Sequence, residues 1–176
     1  MDNPVRAVIF RRMQKQSDII IVGGGLNGPA LALALAQTGF SVTVIDALSE
    51  KIRRNAAFDG RSYALALTSQ RLLDGIGIWQ DIAEHAQPML EIKVTDGRAG
   101  EGPSPFFMHF DHAEIEEGPM GYMVEDRHLR RAFLDAMAAT PDITHLSGKT
   151  VVAQSVGPAS ASVTLDSGKI ITGSVL

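Results

Sequence analysis

Three glycines near the start of the chain have the spacing of a backbone turn that holds phosphate groups. Gly23, Gly25 and Gly28 form a G-x-G-x-x-G pattern. In such a turn the first glycine redirects the chain, the second lets the backbone approach a pyrophosphate, and the third lets a helix pack closely on a strand. With the intervening Leu26 and Asn27, these residues are predicted to bind the pyrophosphate of a dinucleotide at a helix N-terminus.

An acidic residue stands where such a site would hold a ribose. Asp46 follows the glycines by about twenty residues, the distance at which a carboxylate accepts hydrogen bonds from a ribose 2′-OH. An arginine at that position would favour a 2′-phosphate instead. The sequence therefore predicts a dinucleotide without a 2′-phosphate, and the alternative is a glycine turn that only packs.

The neighbouring elements fit a site of this kind. The apolar run Ile19–Val22 predicts a buried strand, and alternating alanine and leucine over 31–36 predict a helix that ends at Gly39. A second strand over 41–45 finishes at Asp46. This order of strand, turn, helix and strand makes the glycine pattern more specific than it is alone.

Composition excludes several classes of protein. A net charge of −4 argues against a nucleic-acid partner, and the absence of cysteine excludes disulfides, thiolate catalysis and cysteine-ligated metal centres. No apolar run is long enough to span a bilayer. We therefore expect a cytoplasmic location.

Residues 1–16 are predicted to be a flexible leader. Four basic residues surround the small apolar patch Val8–Phe10, without the long apolar run of a signal peptide. Met13 could be the natural start. A weak membrane-surface anchor is the alternative.

Arg61 is a further candidate for phosphate binding. It belongs to the segment D-G-R-S-Y-A-L over 59–65, and its planar guanidinium can bridge two pyrophosphate oxygens. The alternative is a surface ion pair with Glu50 or Asp46.

Together these motifs carry a resemblance to a known family. The glycine pattern, Asp46, the 59–65 segment and the segment L-L-D-G-I-G-I-W over 72–79 resemble the FAD-dependent aromatic hydroxylases of ubiquinone biosynthesis. These belong to the class typified by para-hydroxybenzoate hydroxylase, and the branch acting on 2-octaprenyl-6-methoxyphenol is most similar. The resemblance covers residues 17–176 and implies a truncated chain, about the first half of a complete family member.

The segment 89–125 is predicted to form short antiparallel strands, over 90–95, 106–110 and 121–124. By resemblance they begin a substrate-binding portion. Two interpretations of its apolar side chains stay open, a cavity for an apolar substrate or half-buried strand packing. The side chains concerned are Phe106, Phe107, Met108 and Phe110.

No metal site is predicted. His109 and His112 lie among acidic residues, but their spacing on an expected turn is not a recognisable zinc pattern. A charged, solvated loop is the preferred interpretation.

A helix is predicted to begin with Asp126 as its N-cap and to expose Arg130, Arg131 and Asp135. Its buried face is expected to carry Leu129, Ala132, Phe133, Ala136 and Met137. His128 is expected to be solvated. The resemblance implies that Arg127 reaches the flavin nucleotide and that the backbone near Val152 passes the adenine.

The predicted fold class is α/β, a Rossmann-like FAD-binding fold with part of an inserted antiparallel β substrate layer. The predicted portions are a leader (1–16), an FAD-binding βαβ portion (17–88), the start of a β-rich substrate portion (89–125) and a return to the FAD-binding domain (126–176).

The resemblance implies a monooxygenase that hydroxylates the aromatic ring of a polyprenylated phenol through a C4a-hydroperoxyflavin. FAD is the implied cofactor and NAD(P)H the electron donor. Peripheral contact with the inner membrane is also implied, with a homo-oligomer or other ubiquinone-biosynthesis proteins as candidate partners. The alternatives are an FAD- or NAD-dependent dehydrogenase or oxidase of the same fold and a non-catalytic binding module.

Overall fold

The computed structural model describes residues 17–97, 100–114 and 117–176. The predicted leader, residues 1–16, lies outside them. The strands are β1 (Ile19–Val22), β2 (Val42–Asp46), β3 (Ser62–Ala66), β4 (Ala86–Met89), β5 (Glu91–Thr95), β6 (Phe107–Asp111), β7 (Gly121–Glu125), β8 (Ile143–Ser147), β9 (Val151–Val156), β10 (Ala161–Leu165) and β11 (Ile170–Gly173). The α-helices are α1 (Asn27–Gln37), α2 (Glu50–Arg53), α3 (Leu67–Gly75), α4 (Trp79–Ile82) and α5 (Asp126–Ala139).

A parallel sheet in the order β1, β2, β8 forms the centre of the fold. All five residues of β2 are buried, as expected for the middle strand of a covered sheet. Helices α1 and α5 supply much of the main apolar core, in which Val42 and Val44 pack with Leu33, Leu129 and Phe133. The predicted α/β class is confirmed, and the division into four portions stays a prediction.

An antiparallel sheet in the order β11, β10, β9 is packed against the parallel sheet. Ile20 and Ile45 form a second core with Val163, Leu165 and Ile171. Gly173 belongs here for a steric reason, because a Cβ added to it would lie 2.9 Å from Cγ1 of Ile20. These contacts cover one face of β1 and β2 and hold the two strands in place. The glycine turn and Asp46 lie at their carboxyl ends.

A third sheet places β7 between β3 and β4. Its Tyr122 packs on Trp79, with the two ring centres 4.7 Å apart. The strands predicted over 90–95, 106–110 and 121–124 are present with shifts of about a residue. The four-residue elements α2 and β4 were not predicted.

The strands β5 and β6 form a separate two-stranded antiparallel sheet. The apolar side chains of β6 are exposed, and Phe106, just before it, is 84% exposed. The half-buried packing interpretation is wrong, because the strand is largely exposed, and the cavity interpretation stays a prediction. Within the described residues, no helix is long and apolar enough to cross a membrane.

Three predictions about α5 are wrong. The N-cap position is Glu125, and Asp126 is the first helical residue, with its carboxylate buried. Arg130, predicted to be outside, is only 8% exposed, because it pairs with Asp126 one turn earlier. His128 is not fully solvated, since its ring stacks on that of His85 with 3.8 Å between ring centres.

Candidate cofactor site

The glycine turn connects β1 to α1 and is tied to the end of β2. Gly23 has a φ of 123°, which favours glycine, and its N–H donates to the carbonyl of Ile45 at 2.8 Å. A Cβ added to Gly28 would overlap the carbonyl oxygen of Gly23, so helix and strand approach too closely for a side chain. Gly25, in contrast, has no atom within 4 Å of an added Cβ. Its backbone therefore faces an open space that a side chain would fill.

That open space belongs to a cavity of about 710 Å³. The five predicted turn residues all line it, namely Gly23, Gly25, Leu26, Asn27 and Gly28. Most of the remaining wall comes from apolar side chains of β3, α3 and α5, including Tyr63, Leu65, Leu72, Leu129 and Phe133. A largely apolar wall with backbone donors concentrated at one end is typical of a cofactor site.

Asp46 lies at the carboxyl end of β2, next to the turn. It is 3% exposed, and a Cβ added to Gly24 would overlap its Oδ2. Gly24 occupies a variable position of the G-x-G-x-x-G pattern, so the pattern did not mark it as a required glycine. The structure explains it through the close approach of the carboxylate.

Arg53 holds the Asp46 carboxylate with two hydrogen bonds. Its Nε donates to Oδ2 at 2.7 Å and its Nη2 donates to Oδ1 at 3.0 Å. The backbone N–H of Leu48 also donates to Oδ1, at 3.1 Å. Sequence reasoning did not single out Arg53, because this residue belongs to none of the motifs described above. An arginine a few residues beyond a carboxylate expected to be buried was the available signal.

Opposing effects act on the pKa of Asp46. Burial raises the pKa, while the Arg53 guanidinium and the Leu48 N–H lower it, and the balance leaves it below the ordinary value of 3.8. The carboxylate therefore stays ionised at neutral pH and can accept hydrogen bonds from a ribose.

Arg61 belongs to an arginine–aspartate cluster made of Asp59, Arg61, Asp126 and Arg130. Its Nη2 lies 2.6 Å from Asp59 Oδ2 and 3.0 Å from Asp126 Oδ2. The partners are thus Asp59 and Asp126, and the expected partners Glu50 and Asp46 are wrong. The Arg61 side chain remains half exposed, and hydrogen bonding to Asp59 raises its pKa further above its already high value. Arg61 is therefore a permanent cation, and it does not line the 710 Å³ cavity.

Arg127 lies in the first turn of α5, as predicted. Its Nε donates to Glu125 at 2.6 Å and its Nη1 donates to the carbonyl of Ala56 at 3.1 Å. The guanidinium also lies 6.0 Å from the ring centre of Phe58. It does not line the 710 Å³ cavity.

Val152 is 62% exposed on β9. The preceding corner is fixed to the end of β2, because the N–H of Lys149 donates to the backbone carbonyl of Asp46 at 2.9 Å. The strand that carries Val152 therefore begins near the end of β2. Its role towards an adenine stays a prediction.

The structure also brings Glu91 to His109 and Asp111 on the exposed β5–β6 sheet. One ligand atom from each residue lies within 4.8 Å of the others. His109 is on a strand, which differs from the expected loop. Lys93 Nζ contacts Glu91 at 2.6 Å, so a protein cation already neutralises this carboxylate.

Taken together, the turn, the helix that begins at Asn27 and the buried carboxylate after β2 define a dinucleotide-binding α/β domain. Residues 16–162 match the family described as FAD binding domain, and the chain belongs to that family.

Similar proteins are consistent with this membership. Ubiquinone hydroxylase UbiL of Rhodospirillum rubrum is 44% identical over 157 residues, which cover 89% of this chain and 35% of the relative. The 3-demethoxyubiquinol 3-hydroxylase of Escherichia coli is 36% identical over 130 residues, covering 73% and 32%. The structure of p-nitrophenol 4-monooxygenase PnpA from Pseudomonas putida matches with a TM-score of 0.70 at 16% identity, covering 93% of this chain and 40% of the other.

The chain spans about a third of the length of the curated relatives it matches. This share is smaller than the half that the resemblance implied.

Proposed function

We propose that this chain is the N-terminal part of an FAD-dependent monooxygenase that hydroxylates the aromatic ring of a polyprenylated phenol in ubiquinone biosynthesis. Membership of the FAD-binding family supports the cofactor. The two relatives named as hydroxylases of ubiquinone or demethoxyubiquinol support the substrate class.

The observation that carries the cofactor assignment is the open backbone at Gly25 with Asp46 beside the same turn. The N–H groups of the turn and of the first turn of α1 would receive the pyrophosphate, since they have no intrahelical partner. Asp46 would accept a ribose hydroxyl. The residues present therefore fit FAD.

Three further residues are assigned roles towards FAD. Arg61 would bind phosphate oxygens as a planar donor, after exchanging its contact with the exposed Asp59. Arg127 would reach the flavin nucleotide from the first turn of α5, and the backbone near Val152 would pass the adenine.

The flavin supplies oxygen activation with electrons from NAD(P)H, and the protein supplies binding and orientation. In this chain the apolar side chains of β3, α3 and α5 line the cavity next to the turn and would shield a bound cofactor from water. The donors at the turn fix one end of the bound cofactor.

We also propose a peripheral contact with the inner membrane, from which a prenylated phenol would be drawn. The exposed apolar residues of the β5–β6 sheet support a membrane contact, because they form an apolar surface patch beside charged residues.

The test is FAD uptake by the purified chain, measured from flavin fluorescence and from the stoichiometry of the absorbance band. We expect one FAD per chain. Gly25→Val should weaken binding at least a hundredfold, because its side chain fills the space needed by the pyrophosphate. Gly75→Ala is the matched control, since Gly75 also has open space but does not line the cavity.

A wild-type chain that takes up no FAD would overturn the proposal for this chain, and unchanged binding by Gly25→Val would show that the pyrophosphate is misplaced. Turnover with NADH and a prenylated phenol separates the alternatives. Hydroxylated product is expected, whereas oxidation of substrate without oxygen insertion would indicate a dehydrogenase or oxidase.

A further inference from the structure

We infer that Arg53 is a positioning residue for the adenosine ribose, acting through Asp46. It presents one oxygen of that carboxylate to a single ribose hydroxyl. The inference rests on the proposed function, because it concerns the same cofactor site.

The hydrogen bonds around Asp46 leave one oxygen less occupied than the other. A carboxylate offers about two acceptor directions on each oxygen. Oδ1 receives both the Nη2 of Arg53 and the N–H of Leu48. Among the described residues, Oδ2 receives a hydrogen bond only from the Nε of Arg53. One acceptor direction therefore remains, and it is on Oδ2.

The same oxygen is the one closest to the glycine turn. An added Cβ on Gly24 would overlap Oδ2, so this atom packs against the turn backbone. Asp46 is 3% exposed and lines neither the large cavity nor the small cleft, so a ribose bound beside the turn would have to approach Oδ2 past Gly24.

The guanidinium of Arg53 fixes the carboxylate in two ways. Its planar fork binds both oxygens, which sets the rotation of the carboxylate as well as its charge. The carbonyl of Arg53 accepts a hydrogen bond from Arg130 Nη1 at 3.3 Å, which holds α2 against α5. Arg53 also lines the small cleft behind Gly24 and Gly25. It is therefore anchored at both its backbone and its side chain.

Other charged groups near Asp46 do not replace Arg53. His145 on β8 lies close enough to affect the carboxylate electrostatically, but its Nε2 is buried without a hydrogen-bond partner. Glu50 and Arg54 on α2 pair with each other, and Arg54 also binds Asp135. Among the described residues, Arg53 is the cation that contacts Asp46 directly.

The experiment compares ADP with 2′-deoxy-ADP on the full chain by titration calorimetry, with FAD measured in parallel. Wild type should bind ADP about tenfold more tightly, because a hydrogen bond to a charged acceptor is lost with the hydroxyl. Arg53→Met should lose this preference while binding 2′-deoxy-ADP within about twofold of wild type. A merely structural defect would weaken both ligands equally.

Two further variants complete the test. Arg53→Lys keeps the positive charge but lacks the planar guanidinium that binds both carboxylate oxygens. It should retain about a third of the wild-type preference for ADP over 2′-deoxy-ADP. Arg54→Met removes an arginine from the same helix that contacts Glu50 and Asp135, and should leave the preference intact. An NMR titration of the ligand-free chain should show a higher pKa for Asp46 in Arg53→Met than in Arg54→Met.

Each outcome decides the matter. Wild-type binding of FAD and ADP with an unchanged 2′-hydroxyl preference in Arg53→Met would overturn the inference and leave the proposed function standing. Tighter ADP binding by Arg53→Met would also overturn it, since Arg53 would then be a competitor of the ribose. Failure of wild type to bind either nucleotide would overturn the proposed function and the inference together.

Discussion

Asp46 and Asp126 are both buried carboxylates, and an arginine contacts each of them. Their geometry differs. Asp46 receives two aligned N–H groups from Arg53, whereas Asp126 Oδ2 and Arg130 Nε lie 2.6 Å apart without the alignment of a hydrogen bond. A buried charge without its partner is costly, while an apolar pair of similar size can replace a buried ion pair.

We predict that Arg130→Met destabilises the fold by about 3–5 kcal/mol. The substitution removes one partner of the buried Asp126 carboxylate and leaves it only the contact with the half-exposed Arg61. Urea unfolding measures the effect. Combining Arg130→Met with Asp126→Leu should recover most of the loss.

Arg131→Met is the matched control on the same helix. Arg131 is exposed and lies 3.8 Å from Asp135, so its removal should change the free energy of unfolding by less than about 0.5 kcal/mol. A double variant as unstable as the sum of its single variants would contradict the account of the pair.

The burial of Arg130 also shows what residue patterns miss. The helical period assigned α5 its buried face correctly at Leu129, Phe133 and Met137. The same period placed Arg130 on the exposed face. Periodicity depends on apolar positions alone, so it does not detect that Asp126 and Arg130 neutralise each other one turn apart.

At the scale of elements, long segments with clear alternation were predictable. The strand, turn, helix and strand from Ile19 to Asp46 were found in that order, and α5 was found with its apolar stripe. Segments of four residues, α2 and β4, are too short to establish a period, and β4 contains Pro88, which argues against a strand. Because α2 carries Arg53, missing it also concealed the partner of Asp46.

The pairing of β7 with β3 depends on Gly121. A Cβ added there would overlap the carbonyl oxygen of Leu65, a backbone atom that cannot move aside. We predict that Gly121→Ala destabilises the chain by about 2–3 kcal/mol, within the range of overpacking substitutions, and weakens protection of the β3 and β7 amides. Hydrogen exchange and urea unfolding measure both effects.

Gly75→Ala should have the opposite effect on stability from Gly121→Ala. Gly75 has open space around an added Cβ and is the last residue of α3, so alanine should stabilise by up to about 1 kcal/mol. Equal effects of the two substitutions would contradict the steric explanation for Gly121.

At the scale of the whole molecule, the layers lie on both sides of one parallel sheet, and two histidines are half-buried, His128 and His145. Burial lowers the pKa of His128, and the nearby His85 and Arg127 lower it further. Burial also lowers the pKa of His145, although Asp46 and Glu50 act in the other direction. Both values lie below the ordinary 6.5.

We predict that the stability of the chain rises with pH between about 5 and 7. A histidine whose pKa is depressed in the folded state binds its proton more readily when unfolded, so acid favours unfolding in this window. Each histidine can contribute up to about 1.4 kcal/mol per pH unit. Urea midpoints measured across this range test the direction.

Combining His128→Gln with His145→Gln should flatten the dependence in that window. Asp46 acts at lower pH with the same sign, because its lowered pKa gives stability that is lost as acid protonates it. A wild-type chain whose stability falls from pH 5 to pH 7 would contradict the assignment.

The family was predictable from motifs, whereas the arrangement of the sheets was not. Gly25 and Asp46 are close in sequence and belong to a pattern with a known physical role. The placement of β7 between β3 and β4 depends on contacts between distant segments, for which a single sequence carries no periodic signal. The exposure of the β6 side chains was not predicted for the same reason.

The hydrogen bond from Lys149 to the backbone of Asp46 has a consequence for the order of events during synthesis. Residues 46 and 149 are far apart in the chain, so this contact forms only after β8 has joined the parallel sheet and the corner that follows it has docked on the end of β2. Closing such a long loop is an entropic step that local contacts cannot replace. A nascent chain that has already folded its glycine turn can therefore close this contact only after most of this sequence has left the ribosome.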